Sequence, residues 1–145
     1  MDAERARTKL VAQHDQIRAH LSSCSALAHR LLGGEPLHAE LDAALARLRA
    51  DFMEHNTTES ELIRPLLRDS PGWGALLIDR MLEEHIAEHA AFWQSLEGSA
   101  HDVAGRIDDL VDELDAHMAA EERTFLSPMV LDPDAIARRR QPERS

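Results

Sequence analysis

Four long segments of this chain place their apolar residues at steps of three and four, and that rhythm constrains the fold more than any other feature. The first carries Leu10, His14, Ile17, Leu21, Cys24, Ala28 and Leu31; the second Leu37, Leu41, Ala44, Leu48, Phe52, His55, Glu59, Leu62 and Leu66. The third carries Ile78, Leu82, His85, His89, Phe92 and Leu96; the fourth Val103, Ile107, Leu110, Leu114, His117, Glu121 and Phe125. Such spacing puts each set on one face of an α-helix. Outside the turn signals that separate these segments, Pro and Gly are absent from them except for Pro65 and Gly74 near segment ends. Three turn signals separate them: Gly33-Gly34-Glu35-Pro36, Asp69-Ser70-Pro71-Gly72, and the stretch from Gly98 to Gly105, in which Ser99 and Asp102 are possible N-caps. Short connections between helices make neighbours antiparallel. The expected fold is all-α: an antiparallel up-down-up-down four-helix bundle over residues 1–131. A short polar C-terminal tail, 132–145, follows, in which Asp132-Pro133 opens one helical turn before a frayed end.

Composition supports helices and narrows the partners. Aromatics are only 3% of the 145 residues, which argues against a sandwich or barrel. A net charge of −11 makes nucleic acid and anionic membranes poor partners. Cys24 is the only cysteine, so neither an intrachain disulfide nor a cysteine metal site is available, and it reads as a small buried hydrophobe. The start Met1-Asp2-Ala3-Glu4-Arg5 lacks the apolar region of a signal peptide. No stretch approaches the ~18 apolar residues of a membrane span. A soluble, cytoplasmic protein is expected.

Nine histidines are unusual in a chain this short, and five of them interrupt the apolar stripes. With two glutamates they form a set of seven: His14, His55, Glu59, His85, His89, His117 and Glu121. Burying an unpaired carboxylate costs several kcal/mol, roughly, so these groups must satisfy one another or bind something. Antiparallel helices bring residues to equal depth when they are equidistant from the connecting turn. His14 and His55 are equidistant from the first turn. Glu59 with His85, and His55 with His89, are each centred on Gly72. His117 paired with His85 or His89 is centred between Gly98 and Gly105. All seven therefore fall in one layer, within about one helical turn of 5.4 Å.

A single His-x-x-x-Asp/Glu pair is expected about twice by chance at this composition, and His38 with Asp42 is read as such a pair. The shared depth and the repetition of the motif carry the signal. His55-Asn-Thr-Thr-Glu59 and His117-Met-Ala-Ala-Glu121 each stack a histidine and a glutamate at i, i+4 on one helix face. His20, His29, His38 and His101 fall off that face and read as solvated or interfacial. Met81 and Met118 read as packing, and Asp108, Asp109, Asp112, Glu113 and Asp115 as a solvated helix surface. Five imidazoles and two carboxylates suit a pair of transition-metal ions better than the oxygen-seeking Mg²⁺ or Ca²⁺. Iron fits this nitrogen and oxygen set best, with Mn or Zn possible.

His14, His55-x-x-x-Glu59, His85-x-x-x-His89 and His117-x-x-x-Glu121 on four successive helices resemble the haemerythrin-like (HHE cation-binding) family. The following Glu-Arg-Thr-Phe-Leu-Ser-Pro is similar to that family's Glu-x-x-Leu-Phe-Pro helix end. The resemblance covers about residues 8 to 130. It implies a non-haem di-iron centre of two Fe ions with an oxo or hydroxo bridge, with Glu59 and Glu121 spanning the irons. It also implies that His85, His89 and His117 hold one iron, while His14 and His55 hold the other and leave an open position for dioxygen, peroxide or nitric oxide. The His-x-x-x-Glu spacing on helix four is that of bacterial members rather than of respiratory haemerythrins. Glu61 and Glu122, beside the expected ligands, are alternative donors.

Three functions follow. The first is binding of O2 or a related small ligand for sensing, carriage or storage, in a site walled by Ile17, Leu21, Leu48, Phe52, Phe92 and Leu114. The second is a di-iron enzyme of peroxide or nitric-oxide detoxification or iron-donating repair. No Tyr or Cys lies near the layer to serve it, but Glu61, Glu84, Glu88 and Glu122 are candidate proton sources. The third is a metal-free helical interaction module, disfavoured by the cost of burying five histidines without a metal.

Overall fold

Helix ends set the layout. The first helix, α1 (Ala3–Leu32), stops where Gly34 takes φ 105°. The Glu35 N–H donates to the Arg30 carbonyl at 3.1 Å and the Gly34 N–H to the Leu31 carbonyl at 3.0 Å. Two otherwise orphaned carbonyls are thereby satisfied by a left-handed residue that only glycine adopts without strain. The chain then enters α2 (His38–Arg68). The computed structural model describes residues 3–68, 75–124 and 126–127, excepting the side chains of 67–68 and 75–82. The Asp69-Ser70-Pro71-Gly72 turn, the side chains of Ile78, Met81 and Leu82, Phe125 and the tail 132–145 lie outside the described residues.

Beyond α3 (Ala75–Ser95), the fourth segment is not one helix but two, α4 (Ala100–Ala104) and α5 (Ile107–Arg123). Ser99 opens α4 with a reciprocal cap: its hydroxyl accepts from the Asp102 N–H at 3.1 Å, and the Asp102 carboxylate accepts from the Ser99 N–H at 3.3 Å. The break falls at Gly105-Arg106, where Gly105 N–H donates to His101 and Arg106 N–H to Val103. Arg106 leaves the helical path, with φ −110° and ψ 3°. Its guanidinium donates to the carbonyls of Ser95 and Glu97 at 3.0 and 2.6 Å, satisfying the end of α3.

The chain is all-α, with no strand among the described residues. Cross-helix pairs run in opposite senses along three of the neighbouring pairs. Gln13 meets Thr58, His14 meets His55 and Gln16 meets Asp51 between α1 and α2. His14 meets Glu121 and His29 meets Asp108 between α1 and α5. Arg49 reaches the Leu96 carbonyl at the end of α3, while His85 contacts Glu59 farther along α2.

The α1 stripe is buried throughout, from Leu10 to Leu31, with Ala6 added. On α2 the buried face is wider than expected: Leu45, Thr58 and Ile63 are buried, while Ala44 and Leu62 are half-buried. A 31-residue helix drifts against any strict heptad stripe, so flanking positions join the face. The main core gathers Ile17, Leu21, Leu48, Phe52, Phe92 and Leu114 with Cys24 and Met118. Burial pushes the Cys24 thiol up to about 11, so it remains protonated and acts as a packing group. Each fully buried Leu or Phe contributes about 1.5–3 kcal/mol. The core ends at the histidine layer: Phe52 lies one turn from His55, Phe92 one turn from His89 and Leu114 one turn from His117. No described helix is long and apolar enough to cross a membrane.

Candidate metal centre

Four helices each deliver part of the layer: His14 from α1, His55 and Glu59 from α2, His85 and His89 from α3, His117 and Glu121 from α5. All seven come together. His14, His55, Glu59 and Glu121 are buried, and His85, His89 and His117 nearly so.

The layer divides into two halves joined by carboxylates. Glu121 Oε2 lies 2.8 Å from His14 Nε2 and 3.7 Å from His55 Nε2. Its other oxygen, Oε1, lies 2.5, 3.0 and 3.7 Å from Nε2 of His117, His85 and His89. Glu59 repeats the division: Oε2 is 2.9 Å from His55 Nε2 while Oε1 contacts His85 Nε2. Within each half two imidazoles face each other nitrogen to nitrogen, His14 to His55 and His89 to His117, both at 3.1 Å. Two groups able to hold a metal ion result, His85/His89/His117/Glu121 and His14/His55/Glu121.

These separations fit coordination. Two donors at right angles on an octahedral ion, each bond about 2.1 Å, stand about 3 Å apart. Glu59 Oε2 and Glu121 Oε1 are buried against imidazole nitrogens, but none of these contacts has the geometry of a hydrogen bond. A buried acceptor left so is costly, and a cation between the nitrogens and oxygens would satisfy it.

Neighbouring polar groups set which ring nitrogen faces inward. His55 Nδ1 donates to Gln13 Oε1 at 3.0 Å, and the Gln13 amide donates to Thr58 Oγ1 at 3.1 Å. His117 Nδ1 lies 2.6 Å from the Glu88 carboxylate. Each contact holds the proton on Nδ1 and leaves the Nε2 lone pair for the centre, the usual support of a metal-binding histidine. On α1, His14 Nδ1 is 3.6 Å from Glu122, which Arg18 grips through bonds of 2.8 and 2.9 Å. Glu122 therefore stands behind the His14 ring, and Glu61 is exposed.

Charge in the layer is strongly coupled. Burial lowers the His55 pKa, but bonds to Glu121 and Glu59 outweigh it and raise the imidazole to about 9. Burial opposes the ionised Glu121 and Glu59, yet imidazole donors hold both below the usual carboxylate range. His89 moves down, chiefly through burial; His117 moves up because Glu121 and Glu88 outweigh its burial. Protons on imidazoles thus do the balancing that a metal cation would otherwise do.

The off-stripe histidines lie elsewhere. His29 pairs with Asp108 at the surface, His38 and His101 are exposed, and His20 contacts Asp51 between α1 and α2. The expected apolar wall of Ile17, Leu21, Leu48, Phe52, Phe92 and Leu114 is buried beside the layer. A cavity of about 410 Å³ opens between α3 and α5, and its lining includes His89 and His117 but neither His14 nor His55. Gln13, Thr58 and Arg18 were not among the expected site residues. Gln13 and Thr58 do share a signal with the ligands, being equidistant from the first turn.

The family model described as Hemerythrin HHE cation binding domain matches residues 5–125. No curated protein and no solved structure matches the chain significantly. The matched span includes every residue of the layer, and the chain belongs to the haemerythrin HHE cation-binding family.

Proposed function

We propose that the chain holds two iron ions side by side and that the pair binds dioxygen or a related small ligand, peroxide or nitric oxide. The observation that carries this reading is the division of the carboxylates. Glu121 turns one oxygen toward His14 and His55 and the other toward His85 and His117, and Glu59 turns one oxygen toward His55 and the other toward His85. A carboxylate so placed suits two ions rather than one.

His14 and His55 with one oxygen of each carboxylate give four protein donors to one position. His85, His89 and His117 with the other oxygens give five to its neighbour. With fewer protein donors, the four-donor position would leave more coordination positions to an outside ligand. When bound, the iron pair supplies reversible electron transfer to that ligand. The chain's own residues hold the site rigid. Gln13 and Glu88 fix the imidazoles of His55 and His117, while Ile17, Phe52, Phe92 and Leu114 give the layer an apolar wall on its core side.

Metal analysis with an optical spectrum, taken without and then with dioxygen, tests the proposal. About two irons per chain and a spectral change that reverses on removing dioxygen are expected. Steady peroxide consumption without a reversible change would assign the site to catalysis instead. A colourless, stable, metal-free protein would overturn both.

A further inference from the structure

The two halves of the layer differ in access. His14 is 0% exposed and His55 3%, whereas His85, His89 and His117 are 10, 12 and 14% exposed. The α1–α2 side is closed by the Gln13 bonds to His55 and Thr58, and the Glu122 carboxylate behind His14 is already paired with Arg18. Between α3 and α5 the arrangement is opposite. The cavity of about 410 Å³ reaches His89 and His117 past the small side chains of Ala91, Ala116 and Ala120, with Glu88 and Glu113 also in its lining. Both acids are exposed, and Glu88 is 2.6 Å from His117 Nδ1.

Resting on the two-ion reading above, we infer that divalent metal enters and leaves through this acid-lined cleft between α3 and α5, so that the ion at His85/His89/His117 exchanges before the ion at His14/His55. A cleft lined by one sign of charge concentrates the opposite ion and speeds its capture, by about 10-fold to 1,000-fold in favourable cases. Alanines rather than larger residues keep the gap between the two helices open, and each sits on an exposed helix position where a larger side chain is tolerated. Among the described residues Gln13 and Glu122 pack against the outer sides of His55 and His14, so the inner ion leaves by way of the outer position.

The test uses the whole chain, freed of metal, with Co²⁺ as an optical probe. Wild-type protein should bind about two Co²⁺ and release them to excess chelator in two phases of equal amplitude. The double variant Glu88→Gln/Glu113→Gln should load about 10-fold more slowly at low salt, and the difference should shrink at high salt. Asp109→Asn, an exposed acid on α5 outside the cavity lining, should load at the wild-type rate. Ala116→Leu should slow both loading and the fast release phase. Two bound Co²⁺ with single-phase release, or loading rates indifferent to the cleft variants, would overturn the route while leaving the two-ion site standing. Fewer than two bound Co²⁺ in the wild-type protein would overturn the two-ion reading and the route with it.

Discussion

Replacing Glu121 by Gln is the substitution with the widest consequences, because this one carboxylate faces all five imidazoles of the layer. Glutamine keeps the shape, removes the charge and substitutes an amide donor for one acceptor. In the metal-free protein Glu121 and Glu59 together hold the buried His55 at about 9 rather than 6.5. At about 1.4 kcal/mol per pH unit, that span is worth about 3 kcal/mol of stability. The sign follows from the direction. A histidine raised by folding contributes fully below pH 6.5 and loses its contribution as pH climbs toward 9. Metal-free wild-type protein should therefore lose about 3 kcal/mol between pH 6.5 and 9. Sharing the effect between two glutamates, Glu121→Gln should remove about half of it, lowering Tm at pH 6 by about 3–6 °C and flattening the slope. Thermal melts of both proteins across pH 5.5–9.5 measure this directly. Wild-type stability that stays level or rises through that window would refute the account of the buried charge, as would a variant with the unaltered slope.

Three other outcomes are expected. Glu59→Ala and His117→Ala should each lose at least one metal in elemental analysis, and retention of two by either variant would remove that residue from the ligand set. Gln13→Ala frees the His55 ring and should weaken metal binding at the four-donor position about 10- to 100-fold in a competition titration, with little effect at the other. Gly34→Ala meets no neighbouring atom but keeps φ near 105°, so chemical denaturation should show a loss of about 1 kcal/mol from backbone strain alone.

The stripes and the depth of the seven groups were legible because both depend on spacing. A helix converts steps of three and four into a face, and a turn converts equal distances into equal height. The break at Gly105-Arg106 was not legible: Arg106 leaves the helix to cap carbonyls of the α3 end, a partner that only the assembled fold supplies. Leu45, Thr58 and Ile63 escaped because they flank the stripe rather than lie on it. Gln13 shares the depth of the layer but not its stripe, and Arg18 is an ordinary helix-surface residue by type, so their contacts identify them as supports. Depth put His14, His55, Glu59, His85, His89, His117 and Glu121 into one layer. Its division into two halves, with one oxygen of each carboxylate in each, depends on side-chain positions that spacing does not encode. The cavity between α3 and α5 depends likewise on alanines whose positions look unremarkable along the chain.

The central claim is that this layer is built for two ions, and an anaerobic titration of metal-free protein with Fe²⁺ tests it most directly. The account predicts binding that continues to a break at about two equivalents per chain and is reduced to at most one in Glu121→Gln. A break at one equivalent in the wild-type protein, or no binding at all, would contradict it.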